Sequence, residues 1–192
     1  MQSFIRLISG WFNFYCALAI CFILMLSPDL TAQEKEDTAP NRDSVIAAAR
    51  EIMGLQKYCA LITIDSVGSP QIRTMNPFPP EEDMTVYMAT KDISRKALEI
   101  KNNPNVCLYY SDHSKAVGYV AITGKAELVS DMNEILKRKR DYWDQSFPGL
   151  KDIVLIKVVP VKLDVLNYKR NMHNSPTTWR TPSITFPAGS RQ

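Results

Sequence analysis

Apolar positions along this chain follow two periods, one helical and one strand-like. Residues 43–56 place Val45, Ala49, Ile52, Met53 and Gln56 at helical spacing, with Asn41 or Asp43 available to cap the start. Strand-like runs follow over residues 58–65, 70–78, 84–90, 106–110, 119–128 and 153–168. Ser66-Val67-Gly68-Ser69 supplies a turn after the first run, and Pro79-Pro80 stops the second. Residues 93–102 predict a short helix ended by Asn103-Pro104. Residues 132–143 predict another, with Met132, Ile135, Leu136, Lys139 and Trp143 along one side. Gly124 interrupts the fifth run and reads as a bulge or a point of close approach. Helices so few and so irregularly placed do not suit repeated βαβ units. The pattern predicts a mainly β, α+β fold: a six-stranded antiparallel barrel with helices packed outside.

The two ends depart from this pattern. Residues 1–32 begin with one positive residue, Arg6, continue through an apolar run at 11–26, and reach small residues at Thr31-Ala32. That is the form of a secretory signal peptide, cut after Ala32, and it predicts export to the periplasm or the medium. The other reading is an uncleaved anchor, the chain's one route to a membrane. Its apolar run is slightly short of the ~20 residues a spanning helix needs. Residues 33–42 read as a polar linker, 43–168 as one domain, and 169–192 as a polar, Pro-rich tail. The tail is loose unless Trp179 and Phe186 dock, a neighbouring subunit being one candidate surface.

Charge and composition narrow the partners. Hydrophobic residues make up 45% and charged residues 22% of 192, as in a globular protein. A net charge of +3 is too small to make nucleic acid the main partner. The basic run Lys137-Arg138-Lys139-Arg140 reads as a solvated helix face. Cys59 and Cys107 remain after the leader; both sit in strand-like runs as small hydrophobes. Export would permit a disulfide, although nothing in the sequence brings them together. His113 and His173 are the only histidines, which disfavours a structural zinc site. Ser111-Asp112-His113-Ser114 is a loop or turn and not a triad, because a tetrapeptide cannot supply triad geometry.

One stretch carries candidate chemistry. In Thr90-Lys91-Asp92-Ile93-Ser94-Arg95-Lys96-Ala97 a strand leads into a short helix whose first turn is basic. A helix N-terminus carries partial positive charge, so cations there are mildly unfavourable unless an anion joins them. A phosphate would collect free N–H groups, the Ser94 hydroxyl, and the Arg95 and Lys96 cations. Arg73, on the second strand, could reach the same place. The local sequence leaves a second reading open: Asp92 caps the helix, and both cations are solvated.

The block Thr90, Ser94-Arg95-Lys96-Ala97, Ile100, Asn102-Asn103-Pro104 and Val106 resembles the signature of the pyridoxamine 5'-phosphate oxidase family. Ile122-Thr123-Gly124-Lys125-Ala126-Glu127 resembles that family's next strand. Chain length, Phe147-Pro148-Gly149 and the closing strand are similar to its general-stress-protein branch. The resemblance implies a six-stranded split barrel, a homodimer, and FMN held at the interface by both chains. It implies phosphate contacts from Arg73, Ser94, Arg95 and Lys96, and ribityl and ring contacts from Met75, Asn76, Thr90 and Lys91. Tyr119 stands where the oxidase proper has a Gln near the flavin. The oxidase's closing Arg/His segment has no counterpart, since the tail reads Asn171-Met172-His173-Asn174 and Trp179-Arg180-Thr181-Pro182. The implied function is therefore an FMN-dependent oxidoreductase acting on an unknown small molecule other than pyridoxamine phosphate. A flavin-binding or storage module and, less favoured, a haem-binding relative are the alternatives. No side chain stands out as a general acid or base.

Overall fold

A computed structural model describes residues 41–187. The leader reading at 1–32 and most of the linker lie outside the described residues. Helix α1 (Arg42–Leu55) is capped by Asn41, whose side chain accepts from Asp43 N at 3.0 Å. Its buried stripe is Val45, Ala48, Ala49, Ile52 and Met53; Gln56 ends the helix, half-buried. The stripe packs on a sheet made of β1 (Cys59–Ile64), β2 (Pro70–Met75), β3 (Val86–Lys91), β4 (Asn105–Ser111), β5 (Gly118–Val129) and β6 (Ile153–Asn167). Helix α2 (Arg95–Asn102) joins β3 to β4.

Every pairing is antiparallel, in the order β2-β1-β4-β5-β6-β3. The sheet curls as a half-barrel around Leu61, Val86, Met88, Leu108, Tyr110, Val120, Ile122, Ile156, Val158 and Leu163, all essentially buried. Strand alternation puts these side chains on one face, and their burial drives the curl. β2 and β3 are the free edges. Gly124 answers its sequence reading: the β5–β6 register shifts between Thr123 and Gly124, and a Cβ there would stand 2.4 Å from Val159 O.

Four expectations change. The helix at 132–143 divides into α3 (Met132–Lys137) and α4 (Trp143–Ser146), because Arg138 leaves helical geometry to become a clamp. Its guanidinium stacks on Tyr87 at 3.8 Å and pairs with Glu81 at 2.8 Å and with Glu134. Arg140 lies over Phe78 at 4.1 Å. The basic run is therefore not simply solvated, since two of its cations cover aromatic rings. The helix at 93–102 begins only at Arg95, capped by Ser94 and not Asp92. Through residue 187 the tail is held by its own chain: β7 (Ser183–Thr185) pairs with β6, and Phe186 packs on the core, while Trp179 stays exposed.

The cysteines are free thiols on opposite faces of the sheet. Cys59 shares the inward face with Leu61, whereas Cys107 pairs outward with Ile62, so period-2 alternation keeps them apart. Burial pushes the Cys59 thiol up to about 12 and raises that of Cys107 as well.

Candidate functional site

The split between the edge strands is a groove of about 530 Å3. The end of β2 supplies Thr74, Met75 and Asn76; β3 supplies Ala89, Thr90 and Lys91; the entry to α2 supplies Ile93, Ser94 and Lys96; and Phe147 closes one side. The volume lies within the range of small-ligand sites. Two unpaired strand edges meeting a helix N-terminus give it backbone donors and acceptors that no neighbouring strand uses.

At its α2 end the groove is a polar chain. Ser94 Oγ accepts from Ala97 N at 3.4 Å and lies 3.1 Å from Thr90 Oγ1. Lys96 Nζ donates to Thr90 Oγ1 at 3.2 Å and makes no ion pair among the described residues. The Lys96 ammonium is held below the ordinary lysine range, chiefly by burial and then by Arg73; the Glu99 carboxylate only partly offsets them. No acidic residue stands in the first turn of α2. A desolvated cation beside an uncompensated helix N-terminus is a place built for an anion.

Six of the nine residues singled out in the sequence therefore converge: Met75, Asn76, Thr90, Lys91, Ser94 and Lys96. The other three do not. Arg95 stands at the rim with its side chain 70% exposed, 3.2 Å from Glu99. Arg73 points inward and is consumed by an ion pair to Glu99 at 2.7 Å, with further donation to Thr63 Oγ1 and to Gln71 O at 3.0 Å. Tyr119 lies on the outer face of β5, its ring 5.5 Å from that of Tyr109 and its hydroxyl 3.0 Å from Thr181 Oγ1. Asp92, the alternative cap, keeps a buried Oδ1 without a partner.

Sequence reasoning missed Thr74, Ala89, Ile93 and the counter-charge Glu99. The spacing of Glu99 four residues after Arg95 was the available signal for an ion pair. Neither His113 nor His173 lines the groove; each ring packs on a tyrosine, Tyr109 and Tyr168 respectively.

The chain and its fold have known counterparts. Residues 46–174 match the family model described as pyridoxamine 5'-phosphate oxidase like. The chain belongs to that family. It is 27% identical to general stress protein 26 of Bacillus subtilis over 134 residues, 66% of this chain and 91% of the relative. The crystal structure of a Clostridium acetobutylicum protein related to general stress protein 26 superposes with a TM-score of 0.61 at 16% identity, covering 77% of this chain and 97% of that one. A heme binding protein from Mycobacterium smegmatis superposes with a TM-score of 0.56 at 15% identity, covering 76% of this chain and 60% of that one. At these identities the two structures speak for the fold, a split barrel of this family's type. The family resemblance read chiefly from residues 90–106, and the general-stress-protein kinship read from chain length, Phe147-Pro148-Gly149 and the closing strand, are borne out.

Proposed function

We propose that this protein binds FMN in the β2–β3 groove and acts as a flavin-dependent oxidoreductase on a small molecule. The observation that carries the proposal is Lys96: a desolvated ammonium with no ion-pair partner among the described residues, at the N-terminus of α2. Protonated Lys96 is unfavourable there until an anion arrives, and a terminal phosphate relieves that cost. Ser94 and the free first-turn N–H groups complete the phosphate cradle, with Arg95 reaching in from the rim. Thr90 and Lys91 run beside the ribityl chain, and Met75 and Asn76 beside the ring. Arg73 acts at one remove, holding Glu99 so that the acid does not neutralise Lys96. When bound, FMN supplies the redox chemistry; the protein positions it and excludes water.

The outer face of the sheet supports a homodimer as part of this site. Ile72 pairs with Ile62, which pairs with Cys107; Thr74 pairs with Ala60, Ala60 with Tyr109, and Tyr109 with Ala121. An outward strand face normally carries charged residues, yet these positions carry none. It borders the groove at Thr74. A second copy seated on this face would wall the groove and bring a Tyr119 toward the flavin, which gives that residue a role its own chain does not.

An exported member would bind FMN before export, acquire it outside, or do without it. An absorption spectrum with mass measurement of the ligand that co-purifies tests the flavin. Bands near the flavin maxima with the mass of FMN are expected; a Soret band would overturn the assignment. Substituting Ile62→Glu is expected to give monomers by light scattering and to weaken FMN at least tenfold, since half of the site would be lost.

A further inference from the structure

A second cavity, of about 360 Å3, lies between the end of α1 and residues 76–80. Asn76 lines both it and the groove, so the two adjoin. Its walls are Met53, Pro77, Phe78, Pro79, Pro80 and the ring of Tyr110. The Tyr110 hydroxyl faces the Cys59 thiol.

The wall at 77–80 offers the cavity no N–H. Its three prolines have none, and Phe78 N donates to Tyr87 O at 2.8 Å. Two of its carbonyls are also taken: Pro77 O accepts from Arg140 Nη2 at 2.7 Å, and Pro80 O from Arg50 Nη1 at 3.0 Å. Arg50 lines the cavity, but its guanidinium is held by the carbonyls of Pro80, Glu81 and Glu82. No acid lines the cavity. Its remaining polar groups stand together at the end of α1. They are the Gln56 amide and the Lys57 ammonium, which lies 5.4 Å from the centre of the Tyr58 ring.

Gly54, in the last turn of α1, lines the same space. A glycine inside a helix is less stable than alanine. Its backbone here is helical, and a Cβ would meet no atom within 4 Å. Neither backbone nor packing requires the glycine; what it preserves is the room beside it.

We infer that this cavity binds a neutral aromatic molecule of about two fused rings, packed against Phe78, Tyr110 and the prolines, with one oxygen directed to Gln56 and Lys57. An apolar lining without free N–H groups disfavours an anion within it. Because Asn76 is shared, the ligand would lie beside the flavin ring as its redox partner. That last clause rests on the proposed flavin site; binding of the aromatic molecule does not.

The experiment titrates 2-naphthol into the full chain stripped of FMN and carrying methyl-labelled methionine, with 2-naphthoate as the charged comparison. A saturable shift of the Met53 methyl resonance is expected, assigned by its loss in Met53→Leu, with exposed Met132 unmoved. 2-Naphthoate should bind at least tenfold more weakly. Gly54→Ala, which adds one methyl to open space, should bind within about threefold of wild type. Gly54→Phe, which fills that space, should bind at least tenfold less tightly while its circular dichroism matches wild type. No saturable shift at Met53, 2-naphthoate binding as tightly as 2-naphthol, or unchanged affinity in Gly54→Phe would each overturn the inference. Repeating the titration with FMN separates the two ideas. If FMN does not bind but 2-naphthol still shifts Met53, the flavin proposal fails and the cavity stands; if FMN binds and 2-naphthol leaves Met53 unmoved, the reverse holds.

Discussion

Arg73 and Lys96 both stood out as cations converging on one anion, and the fold treats them in opposite ways. Arg73 is enclosed by its own counter-charge: Glu99, with a side chain 6% exposed, takes one arm, and Thr63 and backbone carbonyls take the other. Among the described residues Lys96 has one hydroxyl and no ion pair, and feels Glu99 only through its partial field. A buried cation already paired is part of the scaffold, whereas one left unpaired is waiting for a ligand. Positive charge near a helix N-terminus is a weak functional signal until the counter-charges are known.

The largest expected effect comes from breaking the paired side. Arg73→Ala leaves Glu99 buried with only the Thr63 hydroxyl and the rim guanidinium of Arg95, and should destabilise the fold by about 3 kcal/mol in urea denaturation. A loss below ~1 kcal/mol would show that the pair is not structural. Lys96→Ala should do the reverse. Stability stays level or rises slightly, because a desolvated charge has gone, while FMN affinity falls roughly ten- to a hundredfold. Arg95→Ala should weaken FMN only several-fold, since its side chain is mostly in solvent.

The pH dependence sharpens the same contrast. Lys96 titrates below an ordinary lysine, and the phosphate needs it protonated. FMN affinity should therefore fall as pH rises through that lowered pKa, and the Lys96→Ala variant should lose this step. The smallest effect concerns the thiols. Both are raised by burial, so neither should react quickly with iodoacetamide at pH 8, and half-buried Cys107 should react before Cys59.

Elements with a strong local period were legible in the sequence. The alternation of Cys59–Ile64 and Val86–Lys91 and the stripe of α1 each require one buried face, and the structure supplies it. Residues 132–143 misled because their apolar spacing is helical while Arg138 is claimed by Tyr87, Glu81 and Glu134, contacts 51, 57 and 4 positions away in sequence. β7 was missed because three residues in a Pro-rich tail carry no period of their own; pairing with Lys162, Leu163 and Asp164 makes them a strand. The groove was legible where the chain is continuous, from Thr90 through Lys96. Glu99 was not, because which charge neutralises which is decided by the Arg73 side chain reaching across from β2 to α2. Tyr119 was placed by analogy, and its position on the outer face of β5, bonded to Thr181, keeps it out of this chain's groove.

The central claim is that Lys96 at the head of α2 is charged and unneutralised for the sake of a phosphate. Fluorescence titration of wild type and Lys96→Ala with FMN and with riboflavin, its dephosphorylated form, tests it most directly. Wild type should prefer FMN by at least tenfold, and Lys96→Ala should lose most of that preference while binding riboflavin as before. Equal affinity of wild type for FMN and riboflavin, or an undiminished preference in Lys96→Ala, would contradict the account.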